Sequence, residues 1–225
     1  MTKNIIITGT TGNLGSAVAK KFTAEGYQVI GSSTPGRETP DDGVNYFEAD
    51  LIDETSSQRF FDQAFDKCGK VDAGVFLVGG FGMGDISDSC DSDLQKMINL
   101  NLMTAFHCTK SLYAHLKSNG GGKMVLVGAK PAIEGGGSAM LPYTLSKTAV
   151  IKLAELLNET GKTDNIHTSV IVPSIIDTPV NRKSMPDANF TDWVTPEAIA
   201  DNIHFLISDK GGPLRDTVLK LYGNS

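Results

Sequence analysis

Two hydrophobic periods take turns along this chain. Short apolar runs rich in β-branched residues fall at Lys3–Thr8, Gln28–Ser32, Asn45–Glu48, Ala73–Val78, Lys123–Gly128, His167–Val172 and Thr217–Tyr222, and they predict seven strands. Between them, apolar residues recur at helical spacing over Asn13–Glu25, near Glu54–Asp66, and over Ser92–Lys117, Leu141–Glu159 and Pro196–Ser208. Strands that alternate with helices imply right-handed crossovers and a parallel sheet covered on both faces. The expected fold is therefore α/β, one doubly wound domain over residues 1–225 with a seven-stranded parallel sheet. No internal repeat or domain linker interrupts the alternation. Gly120–Gly122 and Gly135–Gly137 read as loops. Thr178–Val194 holds Pro179, Pro186 and polar residues, and reads as a lid over a site.

The first strand runs straight into Gly9-Thr-Thr-Gly12-Asn-Leu-Gly15, and a helix follows at once. Strand, glycine turn and helix together are the context of a dinucleotide site. Gly9 allows the tight turn, Gly12 lets the backbone approach a pyrophosphate, and Gly15 lets the helix pack closely on the sheet. Thr11, Asn13 and Leu14 complete the turn, at a helix N-terminus whose unpaired N–H groups favour phosphate. The expected fold thus becomes a Rossmann domain. Far downstream, Tyr143 and Lys147 stand four residues apart on a predicted helix, on one face and within reach of each other. An ammonium beside a phenol stabilises the phenolate, which makes the phenol a usable proton donor and acceptor.

Thr8-Gly-x-x-x-x-x-Gly15 followed by Tyr143-x-x-x-Lys147 resembles the short-chain dehydrogenase/reductase family over nearly the whole chain. The resemblance implies an NAD(P)-dependent oxidoreductase and assigns further positions. Asp50 and Leu51 sit where the family contacts adenine. Asn101 sits where it places a helical Asn in a proton relay with Tyr143 and Lys147. Pro173 and Thr178 fall in its segment after the sixth strand, with Ser174 in place of the usual Gly. Lys147 is then also expected to hold the nicotinamide ribose.

Departures narrow the reading. The segment after the fourth strand is Val78-Gly79-Gly80-Phe81 rather than Asn-Asn-Ala-Gly. The serine usual at the end of the fifth strand is missing, and Ala129-Lys130-Pro131 stands there. Loss of one such polarising donor costs a simple ketone about a hundredfold or more in rate. Gly128–Gly135, Gly79-Gly80-Phe81 and the stretch Asp177–Trp193 resemble the dihydropteridine reductase branch of the family. That branch implies a quinonoid dihydropterin as hydride acceptor, an already electrophilic ring that needs positioning and a proton more than carbonyl polarisation. Phe81, Ala129 and Lys130 are the expected substrate contacts, and Gly79 and Gly80 are expected to line the cofactor. A generic carbonyl or quinone reductase and a non-catalytic NADP-sensing regulator stay open as alternatives.

No acid ends the second strand. Ser32, Ser33 and Thr34 stand there with Arg37 shortly after. Hydroxyls and a guanidinium suit a 2′-phosphate, so NADPH is expected over NADH, with Ser33 and Arg37 as its readers.

Composition removes several other classes. Net charge is −6 with no long basic run, so nucleic acid is not an expected partner. No apolar run reaches membrane-spanning length. Cys68, Cys90 and Cys108 are odd in number and scattered, which fits free thiols in a reducing cytoplasm. The four His residues form no metal-ligand spacing, so no metal is expected. A small-molecule substrate is the expected partner. Self-association into a homodimer or homotetramer is implied by the family, through the helices at Ser92–Lys117 and Leu141–Glu159. Leu112, Leu116, Val150 and Leu153 are read as their second apolar face.

Overall fold

The computed structural model describes residues 2–225. Seven strands form one sheet: β1 (Asn4–Thr8), β2 (Gln28–Ser33), β3 (Asn45–Glu48), β4 (Ala73–Phe76), β5 (Gly122–Val127), β6 (Ile166–Pro173) and β7 (Val218–Leu221). Their order is β3-β2-β1-β4-β5-β6-β7, and every neighbouring pair is parallel. The expected seven-stranded, doubly wound α/β architecture is what the chain adopts. Alternation within β1 shows why both faces are covered. Ile6 packs with Phe60, Phe61, Leu112 and Leu116 on one face. Ile5 and Ile7 pack with Val18, Phe22, Ile199 and Ile203 on the other. All of these side chains are fully buried, so this strand is held from both sides.

The helices are α1 (Asn13–Ala24), α2 (Glu54–Cys68), α3 (Asp91–Met97), α4 (Thr104–Ser118), α5 (Pro131–Glu134), α6 (Leu141–Gly161), α7 (Pro179–Ser184) and α8 (Pro196–Ile207). Asp53 caps α2 through Ser56 N–H, and Thr195 caps α8 through Ala198 N–H. The strand order reverses between β1 and β4, so the loops leaving their C-terminal ends diverge and open a crevice there.

Three expectations change. The helix expected over Ser92–Lys117 is divided: a π-helical turn, Ile98–Met103, separates α3 from α4. Leu112, Leu116 and Val150 lie in the core, and Leu153 packs against it, so they form no second apolar face. The exposed large apolar residues of these helices are instead Leu94, Phe106, Leu145 and Leu156. β4 ends at Phe76 rather than Val78, because the Thr8 hydroxyl accepts the Leu77 N–H at 3.1 Å and draws the chain out of the ladder. Among the described residues no helix is long and apolar enough to cross a membrane.

Candidate active site

The glycine turn is built by crowding. Gly9 has φ +72°, and a Cβ on Gly15 would stand 1.9 Å from the Gly9 carbonyl oxygen. No side chain fits there, so α1 starts directly against β1. The turn is wired to the end of β2. Gly9 N–H donates to Ser32 Oγ at 3.1 Å, and Thr10 Oγ1 donates to the Ser32 carbonyl at 2.9 Å. Gly12 precedes α1 without a side-chain cap, and no acid stands in the first turn. The helix therefore presents its leading N–H groups and positive end to the crevice, which fits a diphosphate. Arg37 completes this rim: its Nη2 donates to the Thr11 carbonyl at 2.8 Å. Ser33 is buried. Glu48, paired with Ser33 in the ladder, accepts the Gly36 N–H at 3.0 Å, so an acid from β3 does stand beside this loop. Asp50 accepts the Ile52 N–H at 3.0 Å, and the Leu51 carbonyl meets His107 Nδ1 at 3.1 Å, which fixes the next loop of the crevice.

The chemical centre lies where β4, β5 and the π-turn meet α6. Tyr143 and Lys147 sit in the first turns of α6. Lys147 is 7% exposed, and its Nζ donates to the Val127 carbonyl at the end of β5, 3.0 Å away. Burial pulls this amine down to about 8 and pushes the Tyr143 phenol up to about 12. This corrects the expected direction for Tyr143. The ammonium is turned toward Val127, burial governs, and the phenol keeps its proton at neutral pH. The site is thus poised to donate a proton. Phe81 meets Tyr143 edge to face, with ring centroids 5.0 Å apart.

Asn101 lies in the π-turn and is 1% exposed. Its Oδ1 accepts the Gly80 N–H at 2.9 Å, and its Nδ2 donates to the Gly80 carbonyl at 3.1 Å and to Ser146 Oγ at 2.9 Å. π-turns recur at functional sites because the extra residue re-aims a side chain. Here the turn aims an amide at the loop after β4. A Cβ on Gly79 would come within 2.6 Å of Asn101 Oδ1 and 3.3 Å of Lys147 Nζ, so the two residues converge where a side chain is excluded. Ser146 was missed by sequence reasoning. It is fully buried, and it bridges Asn101 to the Tyr143 carbonyl at 2.7 Å. Its only signal was its place beside Lys147.

The remaining expected contacts have these partners within the chain. Lys130 does not reach toward Tyr143. Its Nζ donates to the main-chain oxygen of Ser225 at 2.8 Å and lies over the Tyr222 ring. Ala129 is buried after β5, with no hydroxyl to offer. The Thr178 hydroxyl is taken as the cap of α7, accepting the Asn181 N–H at 3.2 Å. The Pro173 carbonyl accepts the Lys130 N–H at 3.2 Å. Among the described residues no three His, Cys, Asp or Glu side chains are gathered as a metal site would require.

The short chain dehydrogenase family model matches residues 3–189. The dihydropteridine reductase of Dictyostelium discoideum is 34% identical over 211 residues, 90% of this chain and 87% of that one. Two solved structures share the fold at lower identity. ElxO with NADP bound has a TM-score of 0.91 at 23% identity, covering 99% of this chain and 98% of that one. The NADH-dependent reductase A1-R′, responsible for alginate metabolism, has a TM-score of 0.85 at 22% identity, covering 99% and 96%. With its glycine turn, its Tyr143 beside a buried Lys147 and a family match over most of its length, this chain belongs to the short chain dehydrogenase family of NAD(P)-dependent oxidoreductases.

Proposed function

We propose that this chain reduces a small planar acceptor of the quinonoid dihydropteridine class at the expense of NAD(P)H. The observation that carries the reading is the pairing of a proton-retaining Tyr143 with a buried Ala129 where a second hydroxyl would polarise a ketone. Such a site supplies position and a proton, which suffices for an acceptor that is already electrophilic. The 34% identical dihydropteridine reductase supports the same class. The nicotinamide, when bound, supplies the hydride. Gly9, Gly12 and the start of α1 would hold its diphosphate, and Lys147 its ribose. Asn101 and Ser146 fix the loop after β4 against α6, so that Gly79, Gly80 and Tyr143 share one wall. Phe81, 60% exposed and edge-on to Tyr143, offers a face to a flat ring.

Reduced-nicotinamide oxidation with a panel of quinonoid pterins, quinones and ketones tests the reading. Turnover highest with the pterins supports it. Turnover only with ketones makes this a general carbonyl reductase, and tight dinucleotide binding with no turnover makes it a sensor.

NADPH is the proposed cofactor. Arg37 is held at the Thr11 carbonyl on the rim of the turn, where its free edge suits a 2′-phosphate. Arg37→Ala is expected to lower kcat/KM for NADPH by about tenfold or more, as loss of a charge-assisted contact does, and to leave NADH little changed. Equal or better efficiency with NADH in the wild type, unchanged by Arg37→Ala, would show that this loop does not read the phosphate.

Association through α4 and α6 is proposed on Phe106, Leu145 and Leu156, which lie exposed on these two helices. Sedimentation is expected to show at least a dimer, shifted toward monomer in Leu156→Asp. A monomeric wild type at micromolar concentration removes the proposal.

A further inference from the structure

Two departures from the family pattern meet at one place. Lys130 follows the missing serine, and Ser174 replaces the usual glycine after β6. Both grip the residues that follow β7. Lys130 Nζ donates to the main-chain oxygen of Ser225 at 2.8 Å and stands 5.0 Å from the Tyr222 ring centroid. Ser174 Oγ donates to the Tyr222 carbonyl at 2.7 Å and lies 2.8 Å from Ser225 Oγ. The two residues between Tyr222 and Ser225 reach the lid. Asn224 N–H donates to the Asp192 carbonyl at 2.9 Å. Gly223, at φ +58°, comes so close that a Cβ would stand 2.5 Å from that oxygen.

Asp192 stands at the closing end of the segment that follows β6, which ends at Pro173. The two ends of that segment are tied together: Asp177 N–H donates to the Val194 carbonyl at 2.8 Å, and Val194 N–H to the Ile175 carbonyl at 3.1 Å. It emerges at the C-terminal end of the sheet, where Val127 holds Lys147. Residues 222–225 thus join three parts of that end: the loop after β5, the loop after β6 and the base of the lid.

We infer that Lys130 and Ser174 are positioning residues, which seat residues 222–225 as a strap that holds the base of the Thr178–Val194 lid in place for acceptor binding. Lys130 acts through the strap and not on the reacting atoms. Its ammonium is matched to a main-chain oxygen of Ser225 and to the aromatic face of Tyr222, both acceptors of a cation. The role in acceptor binding rests on the reductase reading above. The strap itself does not.

The test pairs hydrogen exchange with kinetics in Lys130→Met, Ser174→Gly, Lys130→Arg and the Met/Gly double variant. Loss of one charge-assisted bond is expected to speed amide exchange across residues 178–193 of the cofactor-free protein by about tenfold, and to raise acceptor KM by a similar factor. The kcat and the KM for reduced nicotinamide are expected to stay near wild type. Lys130→Arg should recover much of the loss. The double variant should show less than the product of the two single effects, because both release one strap. Unchanged exchange in Lys130→Met overturns the strap. Faster exchange with unchanged acceptor KM overturns the positioning role. A fall in kcat at constant KM would place Lys130 on the reacting atoms instead. A wild type that turns over no acceptor defeats the proposed reaction, while exchange still decides the strap.

Discussion

Tyr143→Phe is expected to lower turnover about a hundred- to ten-thousandfold, the range that one general acid contributes. Tyr143 is partly buried in α6 beside Phe81, and the change removes one oxygen and leaves the ring in contact. Fold and dinucleotide affinity should therefore survive, and the loss should appear in kcat rather than in the KM for the cofactor. The direction of catalysis follows from the same geometry. Burial holds the phenol up at about 12, so at neutral pH it carries the proton that a reduction consumes. Lys147, pulled down to about 8, is the group that titrates first on the alkaline side. Reductase activity is thus expected to fall as pH rises through the region near 8, with an apparent pKa that belongs to the Tyr143–Lys147 pair. Single-turnover rates and a pH profile of wild type and variant check both points. Near wild-type turnover in Tyr143→Phe would remove the phenol from the mechanism.

Much of this could be read from residue order alone, and the reasons are local. The seven strands showed because each carries a short apolar run between polar turns, and β3 falls at Asn45–Glu48 as expected. The glycine turn showed because only glycine tolerates the approach of Gly15 to the Gly9 carbonyl. What stayed hidden depends on tertiary placement. The π-turn at Ile98–Met103 adds a residue to one helical turn and leaves the apolar period of Ser92–Lys117 nearly intact, so one long helix was the natural reading. Leu112 and Val150 looked like a second apolar face because periodicity cannot say how wide the core-facing stripe is. α5 and α7 are too short to show a period, though Pro131 and Pro179 mark their first turns. The destination of Lys130 lies 95 residues away at Ser225, beyond any local signal. The spacing of Tyr143 and Lys147 put them on one face. The direction of their pKa shifts follows from burial, which spacing does not encode.

Lys147→Met is expected to abolish most activity and yet to make the cofactor-free protein more stable at pH 7. The amine is 7% exposed and has one protein acceptor, the Val127 carbonyl. Its pKa falls from 10.5 to about 8, so keeping it charged in the folded state costs about 3 kcal/mol. Methionine fills similar space without the charge. It forfeits one hydrogen bond, worth about 1 kcal/mol, and leaves the Val127 carbonyl unpaired. With the unpaired carbonyl costing about 1 kcal/mol more, the desolvation cost still outweighs these losses by about 1 kcal/mol at pH 7, a few degrees in Tm for a chain of this length. The pH dependence fixes the sign. Between pH 8 and 10.5 the unfolded chain binds more protons at Lys147 than the folded one, so wild-type stability rises with pH there relative to the variant. The advantage of the Met variant should thus be fully present below pH 8 and gone by about pH 10.5. Thermal melts of both proteins at pH 7, 9 and 10.5 decide it. A variant less stable at pH 7, or a difference that does not shrink with pH, would mean that Lys147 is held at no electrostatic cost. Its charge would then serve the fold as well as the chemistry.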